Sequence, residues 1–231
     1  MTTAKEEVLN RANLNYSNSP KRIRDIVSDG CWKGHRCFIV GGGESLKGFN
    51  FSSLDRELTI GINKSFIYYD SSLLFFSDSE FYRMVTQDPS LSDLWFRCKT
   101  PKTTVAPMEI GRTYQDSYVI RRSNELEVPY GLEDGINVWN NSGFGALVLA
   151  YLLGANPIYL LGFDMKCVQA THWHCGYKGQ TVEGQNQRLH SFMMPFLFNA
   201  EEFKRRGTHI VNLNPDSALT CFHKTTVNKV L

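Results

Sequence analysis

Short apolar runs that stop at small or polar residues recur along this chain. Cys37–Val40 runs into Gly41, Gly42 and Gly43, followed by Glu44, Ser45 and Leu46. Leu58–Ile62 stops at Asn63, and Leu73–Phe76 stops at Ser77 and Asp78. Ile158–Leu161 gives way to Gly162, Phe163 and Asp164, and His209–Leu213 to Asn214, Pro215, Asp216 and Ser217. Runs this short, apolar without alternation, predict strands buried on both faces, as in a parallel sheet. Between them the spacing changes to a helical period. Helices are predicted over residues 80–86, over 143–153 with Ser142 as cap and Gly154 as stop, and over 183–206. Strand and helix in alternation predict an α/β fold, a Rossmann-like, mostly parallel sheet flanked by helices.

Two stretches are less regular. Residues 3–14 are helix-prone and 15–20 break them. Ser19-Pro20 then opens a short helix through Val27, with the proline in its first turn. The apolar stripe of this segment is thin, so residues 1–30 are expected to be a peripheral helical arm on a single domain spanning 31–231. Within that domain, Pro89, Pro101, Pro107 and Pro129 punctuate residues 88–135. Only 103–106 and 118–120 read as candidate strands there, so a lid-like or acceptor-facing insertion is expected. No internal repeat or low-complexity tract is present.

Composition narrows the function classes. A net charge of +2 forces no broad basic face, and the Lys/Arg clusters read as solvated helix faces. Nucleic acid is thus permitted as a partner, not indicated. The 6 cysteines contain no CxxC pair, and the opening residues lack an apolar leader, which points to free thiols in a reducing cytoplasm. No apolar run reaches the length of a membrane span. At 42% hydrophobic and 13% aromatic, the chain has ample material for a packed core.

In an open α/β sheet the ligand lies at the carboxyl ends of the strands. Those ends carry Gly41–Ser45, Asn63, Ser77, Asp78, Asp164 and Asn214–Ser217, a polar set suited to a phosphate and a sugar. The glycines predict a turn whose backbone takes φ > 0 and turns its N–H groups toward an anion. It is not a Walker A loop, because GK[ST] is absent. It is not a dinucleotide fingerprint either, because Leu46 stands where the third glycine belongs and Asn63 where a ribose-binding acid belongs. His172 and His174, two apart, fall on one side of an extended loop. They suit general acid–base work or a phosphate contact, and with Asp78 or Asp164 they suit a divalent metal. The plain structural reading of the same loop is packing on the domain through Trp173.

The series GGGESL, GIN, FFSD, NNSGFGALVLAYLLGANPIYLLGFD and NPDSAL resembles the bacterial family 42 sialyltransferases. It also resembles the related domain-of-unknown-function family 115, which includes a 6-hydroxymethyl-dihydropterin pyrophosphokinase. The resemblance runs from about Cys37 to Ser217. It implies a transferase using a nucleotide-activated donor, a CMP-sugar or another nucleotide sugar. It places the donor on Gly41, Gly42, Gly43, Ser45, Asn63, Asp78 and Ser142, with Tyr177 and Ser217 as further candidates. The family's catalytic histidine, twenty-five residues before a proline, falls on His190 (215 − 25 = 190), with His174 and Asp164 as the other catalytic candidates and His172 beside them. No metal is expected for a glycosyltransferase. The pyrophosphokinase alternative implies Mg²⁺ on Asp78, Asp164, His172 and His174. A non-catalytic nucleotide-binding module is the third reading.

Overall fold

A computed structural model describes residues 5–8, 10, 21–106 and 114–231. The expected break at 15–20, the helix opening at Ser19-Pro20 and the punctuation at Pro107 lie outside the described residues. Eight strands form one sheet: β1 (Cys37–Val40), β2 (Leu58–Ile62), β3 (Leu73–Phe76), β4 (Lys102–Ala106), β5 (Ser117–Arg121), β6 (Ile158–Leu161), β7 (Ile210–Asn212) and β8 (His223–Lys224). Their order is β5-β4-β3-β2-β1-β6-β7-β8, and every neighbouring pair is parallel. Residues 5–8 and 10 are helical, and the helices described in full are α1 (Ser79–Gln87), α2 (Pro89–Arg97), α3 (Ser142–Leu152) and α4 (Val182–Arg205), with short 3₁₀ turns between elements. This is the expected Rossmann-like α/β fold. Strand order reverses between β1 and β6, which opens a crevice at their carboxyl ends.

Alternation within the buried strands divides the apolar residues between two faces. Cys37, Ile39, Leu73 and Phe75 join α3 and α4 in one core, with Phe144, Phe196 and Phe203. On the opposite face Phe38 and Val40 pack with Leu46, Leu54 and Leu161, while Leu74 and Phe76 pack with Phe81, Val85 and Trp95. Helix α3 buries nine of its eleven residues, because it lies flat on the sheet centre with α4 above it. A methyl group on Gly145 would stand 2.7 Å from the Phe75 ring, so glycine is what lets α3 approach β3.

Three expectations are corrected. Residues 21–27 are not a peripheral arm: Ile23, Ile26 and Val27 are buried in the main core, and the Lys21 carbonyl accepts the Val119 N–H at 2.8 Å. The described residues of the segment 88–135 are not a lid: they supply α2, β4 and β5 and extend the sheet. The cap of α3 is Asn141, whose Oδ1 accepts the N–H groups of Gly143 and Phe144 at 2.8 and 3.1 Å, and Ser142 is the first helical residue. Among the described residues no helix is long and apolar enough to cross a membrane.

Candidate active site

The strand tips converge on one cleft of about 1080 Å³ at the carboxyl edge of the sheet. Gly41, Gly42, Gly43, Asn63, Asp78, Ser142, Asp164, His172, His174 and Tyr177 all line it. Ser45, His190 and Ser217 do not.

His190 is corrected by its place on α4. The helix turns Gln185, Arg188, Leu189 and Phe192 toward the cleft, one stripe at helical spacing, and leaves His190 exposed on another side. A base must reach the proton it removes, and His190 does not. Ser217 is buried and structural: its Oγ donates to the Phe163 carbonyl at 2.6 Å and accepts from Asn212 Nδ2 at 3.0 Å.

The glycine corner is not an open phosphate cradle. None of its three glycines has positive φ. Glycine is needed for close approach instead: a Cβ on Gly43 would lie 2.5 Å from Asp164 Cγ, and one on Gly41 2.8 Å from the Gly162 carbonyl oxygen. The Gly41 N–H donates to Leu161 O, the Gly43 N–H to Gly162 O, and the Ser45 N–H to Asp164 Oδ2. Asp164 Oδ1 accepts the Ser45 hydroxyl and Asn214 Nδ2, the latter at 2.8 Å. Asp164 is therefore the clamp that joins the tips of β1, β6 and β7. Only the N–H groups of Gly42 and Glu44 in this corner lack a partner among the described residues.

Against Gly42 lies the histidine loop. Trp173 docks it twice: its backbone N–H donates to Gly42 O at 3.2 Å and its indole N–H to Gly41 O at 2.9 Å. The Trp173 ring packs on Phe51 and Tyr68. Glu44 holds the loop's other end by accepting the N–H groups of Val168 and Gln169. With the tryptophan pinned, His172 and His174 fall on the same side, rings stacked at 4.8 Å between centroids. Gly176 N–H donates to His174 Nδ1 at 3.1 Å, which leaves the proton of the neutral ring on Nε2. His172 Nδ1 is buried without a hydrogen-bond partner among the described residues. Burial, then the charge of Lys64, pushes His172 down to about 4. Burial, His172 and Lys64 together push His174 down to about 3. Both imidazoles are neutral at pH 7.

Lys64, buried at the tip of β2, donates to the Gly176 carbonyl and lies over the Tyr177 ring, 4.5 Å from its centroid. Burial raises the Tyr177 hydroxyl well above the usual tyrosine range, and the Asn63 side chain beside it opposes that shift. Asn63 (φ 51°), Asn140 (φ 55°) and Met165 (φ 51°) hold left-handed backbone around the cleft. Such strain in non-glycine residues concentrates where a site is preformed. Arg122, Lys166, Lys178 and Arg188 also line the cleft, and none has an ion-pair partner among the described residues. Sequence reasoning missed these cations and Lys64. Lys64 was within reach, directly after the Asn63 strand tip.

The residues do not fit a divalent ion. Asp78 caps α1 by accepting the Glu80 N–H at 2.8 Å, both Asp164 oxygens accept internal donors, and the histidines sit beside a lysine. Among the described residues no group of three His, Cys, Asp or Glu could hold a metal.

Comparison with known structures places the architecture. The MAf glycosyltransferase from Magnetospirillum magneticum AMB-1 aligns over 99% of this chain and 38% of its own length, at TM-score 0.55 and 11% identity. Sialyltransferase CstII from Campylobacter jejuni, solved with the substrate analogue CMP-3FNeuAc, aligns over 84% of this chain and 87% of its own, at TM-score 0.53 and 17% identity. The chain shares the fold of these glycosyltransferases. It spans well under half of the larger MAf protein. Neither structure is a pyrophosphokinase. No known sequence family and no curated protein sequence matches the chain.

Proposed function

We propose that the protein is a glycosyltransferase whose cleft binds a nucleotide-activated sugar and passes the sugar to an acceptor hydroxyl. The observation that carries this reading is the convergence of six strand tips, β1 to β6, on one cleft at the β1/β6 crevice, lined by cations without counter-ions among the described residues and by two neutral imidazoles. Unpaired cations around a concave polar site favour an anionic ligand. The fold shared with two glycosyltransferases, one of them solved with a CMP-sugar analogue, supports a nucleotide sugar as that ligand.

In the reaction the acceptor oxygen bonds to the anomeric carbon and the bond from that carbon to the donor phosphate breaks; the nucleotide departs with the bonding electron pair, and the acceptor's hydroxyl proton passes to the departing phosphate or to solvent. The protein's work is to position the two partners and stabilise the departing phosphate. His174, with Nδ1 engaged and the proton on Nε2, presents a hydrogen-bond donor to that phosphate. Asn63 and Ser142, which line the cleft at the tips of β2 and α3, are the residues this reading assigns to the ribose or base.

Thermal melting of the full chain with CMP, UDP, GDP, ADP and ATP, and with matching nucleotide sugars, tests this with and without Mg²⁺. We expect stabilisation by one nucleotide and its sugar conjugate, unchanged by chelator. Absence of a shift with every ligand overturns the reading, and a shift with ATP that requires Mg²⁺ transfers the site to a kinase-type reaction.

A further inference from the structure

We propose that His172 and His174, with Lys64 standing behind them, form the phosphate-binding subsite of the cleft. The proposal rests on the reading of the cleft as a donor site, and it names the group that replaces the glycine corner in holding the phosphate.

Three observations lead there. The corner has little left to offer, because the N–H groups of Gly41, Gly43 and Ser45 are engaged inside the protein. Of its two remaining N–H groups, that of Glu44 belongs to a residue outside the cleft lining, and Gly42 sits against His172, whose Cδ2 would stand 2.7 Å from a Cβ at position 42. Lys64 is 7% exposed yet forms no ion pair among the described residues; its ammonium meets a carbonyl and a ring face, and exposed Asp88 feels its charge without pairing with it. A buried cation without a counter-ion is costly, and native proteins rarely keep one without use. An anion docked on the imidazole edges would supply the missing charge.

The stacked rings give such an anion two hydrogen-bonding edges side by side, with His174 Nε2–H already a donor. Burial and Lys64 hold both rings neutral, and an anion reverses the local field. Binding therefore takes a proton from solvent onto one imidazole, which makes it a second charged donor and balances the phosphate. The titratable and charged groups around the pair are Lys64, Tyr68, Cys175 and Tyr177, with Asp78, Glu80, Asp164, Arg122, Lys166, Lys178 and Arg188 on the cleft wall.

Calorimetric titration of the full chain with inorganic phosphate and with pyrophosphate, in two buffers of different ionisation enthalpy, tests this. We expect uptake of close to one proton and an affinity that rises by up to about tenfold per pH unit between pH 8 and 6. His172→Asn and His174→Gln should each weaken binding by about tenfold or more, and the double variant should abolish the uptake. If a variant fails to fold, the imidazole resonances of the wild-type protein give the same answer, since phosphate must shift and protonate them. Binding without proton uptake and indifferent to both substitutions overturns the subsite, as does no binding at about 10 mM. A nucleotide that binds equally well to both variants removes the subsite and leaves the glycosyltransferase reading intact. Phosphate binding with proton uptake, alongside no response to any nucleotide sugar, does the reverse.

Discussion

A methyl group on Gly43 would press on Asp164 Cγ at 2.5 Å and on the Gly162 carbonyl oxygen at 2.6 Å. Neither can retreat, because Asp164 is held by Ser45 and Asn214 and Gly162 is backbone of the β6 tip. On Gly42 the same methyl meets only the edge of a side chain, His172. The two substitutions should therefore separate. Gly43→Ala should lower stability by about 2–3 kcal/mol in urea unfolding. Gly42→Ala should cost less than about 1 kcal/mol but displace His172, so nucleotide affinity should fall while the melting temperature barely moves. A larger stability loss at Gly42 than at Gly43 would contradict this account. The importance of these glycines was legible in the sequence, but not their reason. A run of glycines at a strand tip suggests freedom of φ, whereas whether the backbone uses that freedom or only the missing side chain depends on β6, more than a hundred residues away. Partners that distant leave no periodic trace, and Asp164 was read as catalytic for the same reason.

At the scale of elements, legibility followed hydrophobic pattern. The apolar runs gave β1, β2, β3 and β6 with their observed bounds, since such strands are buried on both faces whatever surrounds them. In β4, KTTVA, the pattern is polar yet the strand is wholly buried. Tertiary partners make that tolerable: Thr103 Oγ1 donates to Leu74 O at 2.9 Å, and Lys102 reaches Cys98 O and lies over the Trp95 ring. Strand β8, two residues at the sheet edge, is too short to carry a signal. The histidine loop shows the opposite case, in which an irregular segment was legible as two rings on one side because a single tryptophan fixes its register. Trp173→Phe keeps the ring packing against Phe51 and Tyr68 but removes the indole donor to Gly41 O. We expect a stability loss of only about 1 kcal/mol, together with faster amide exchange across the loop and a several-fold loss of nucleotide affinity. Unchanged exchange and affinity would mean that the backbone bond from Trp173 to Gly42 holds the loop alone.

For the molecule as a whole, the two half-buried histidines of the cleft tie stability to pH. Each has a folded value below its unfolded one, about 4 for His172 and about 3 for His174 against 6.5. Between those limits the unfolded chain binds more protons, so stability is full above pH 6.5 and is lost as pH falls toward the folded values. Carboxylates such as Glu202, held down to about 2 by Arg205 and Arg206, add their own loss, but only below their unfolded value of 4.5. The window from pH 6.5 to 4.5 thus isolates the histidines. Across it the wild-type protein should lose about 2 kcal/mol per histidine, and replacing both by asparagine should flatten the curve. A phosphate-bearing ligand at the pair opposes the same loss, since it stabilises the protonated rings that folding otherwise disfavours. Melting scans with phosphate should therefore show a larger upward shift at pH 6 than at pH 8, opposite in direction to the trend of the ligand-free protein. Equal shifts at both values would mean that the anion binds away from the imidazoles, on the rim cations Arg122, Lys166, Lys178 or Arg188.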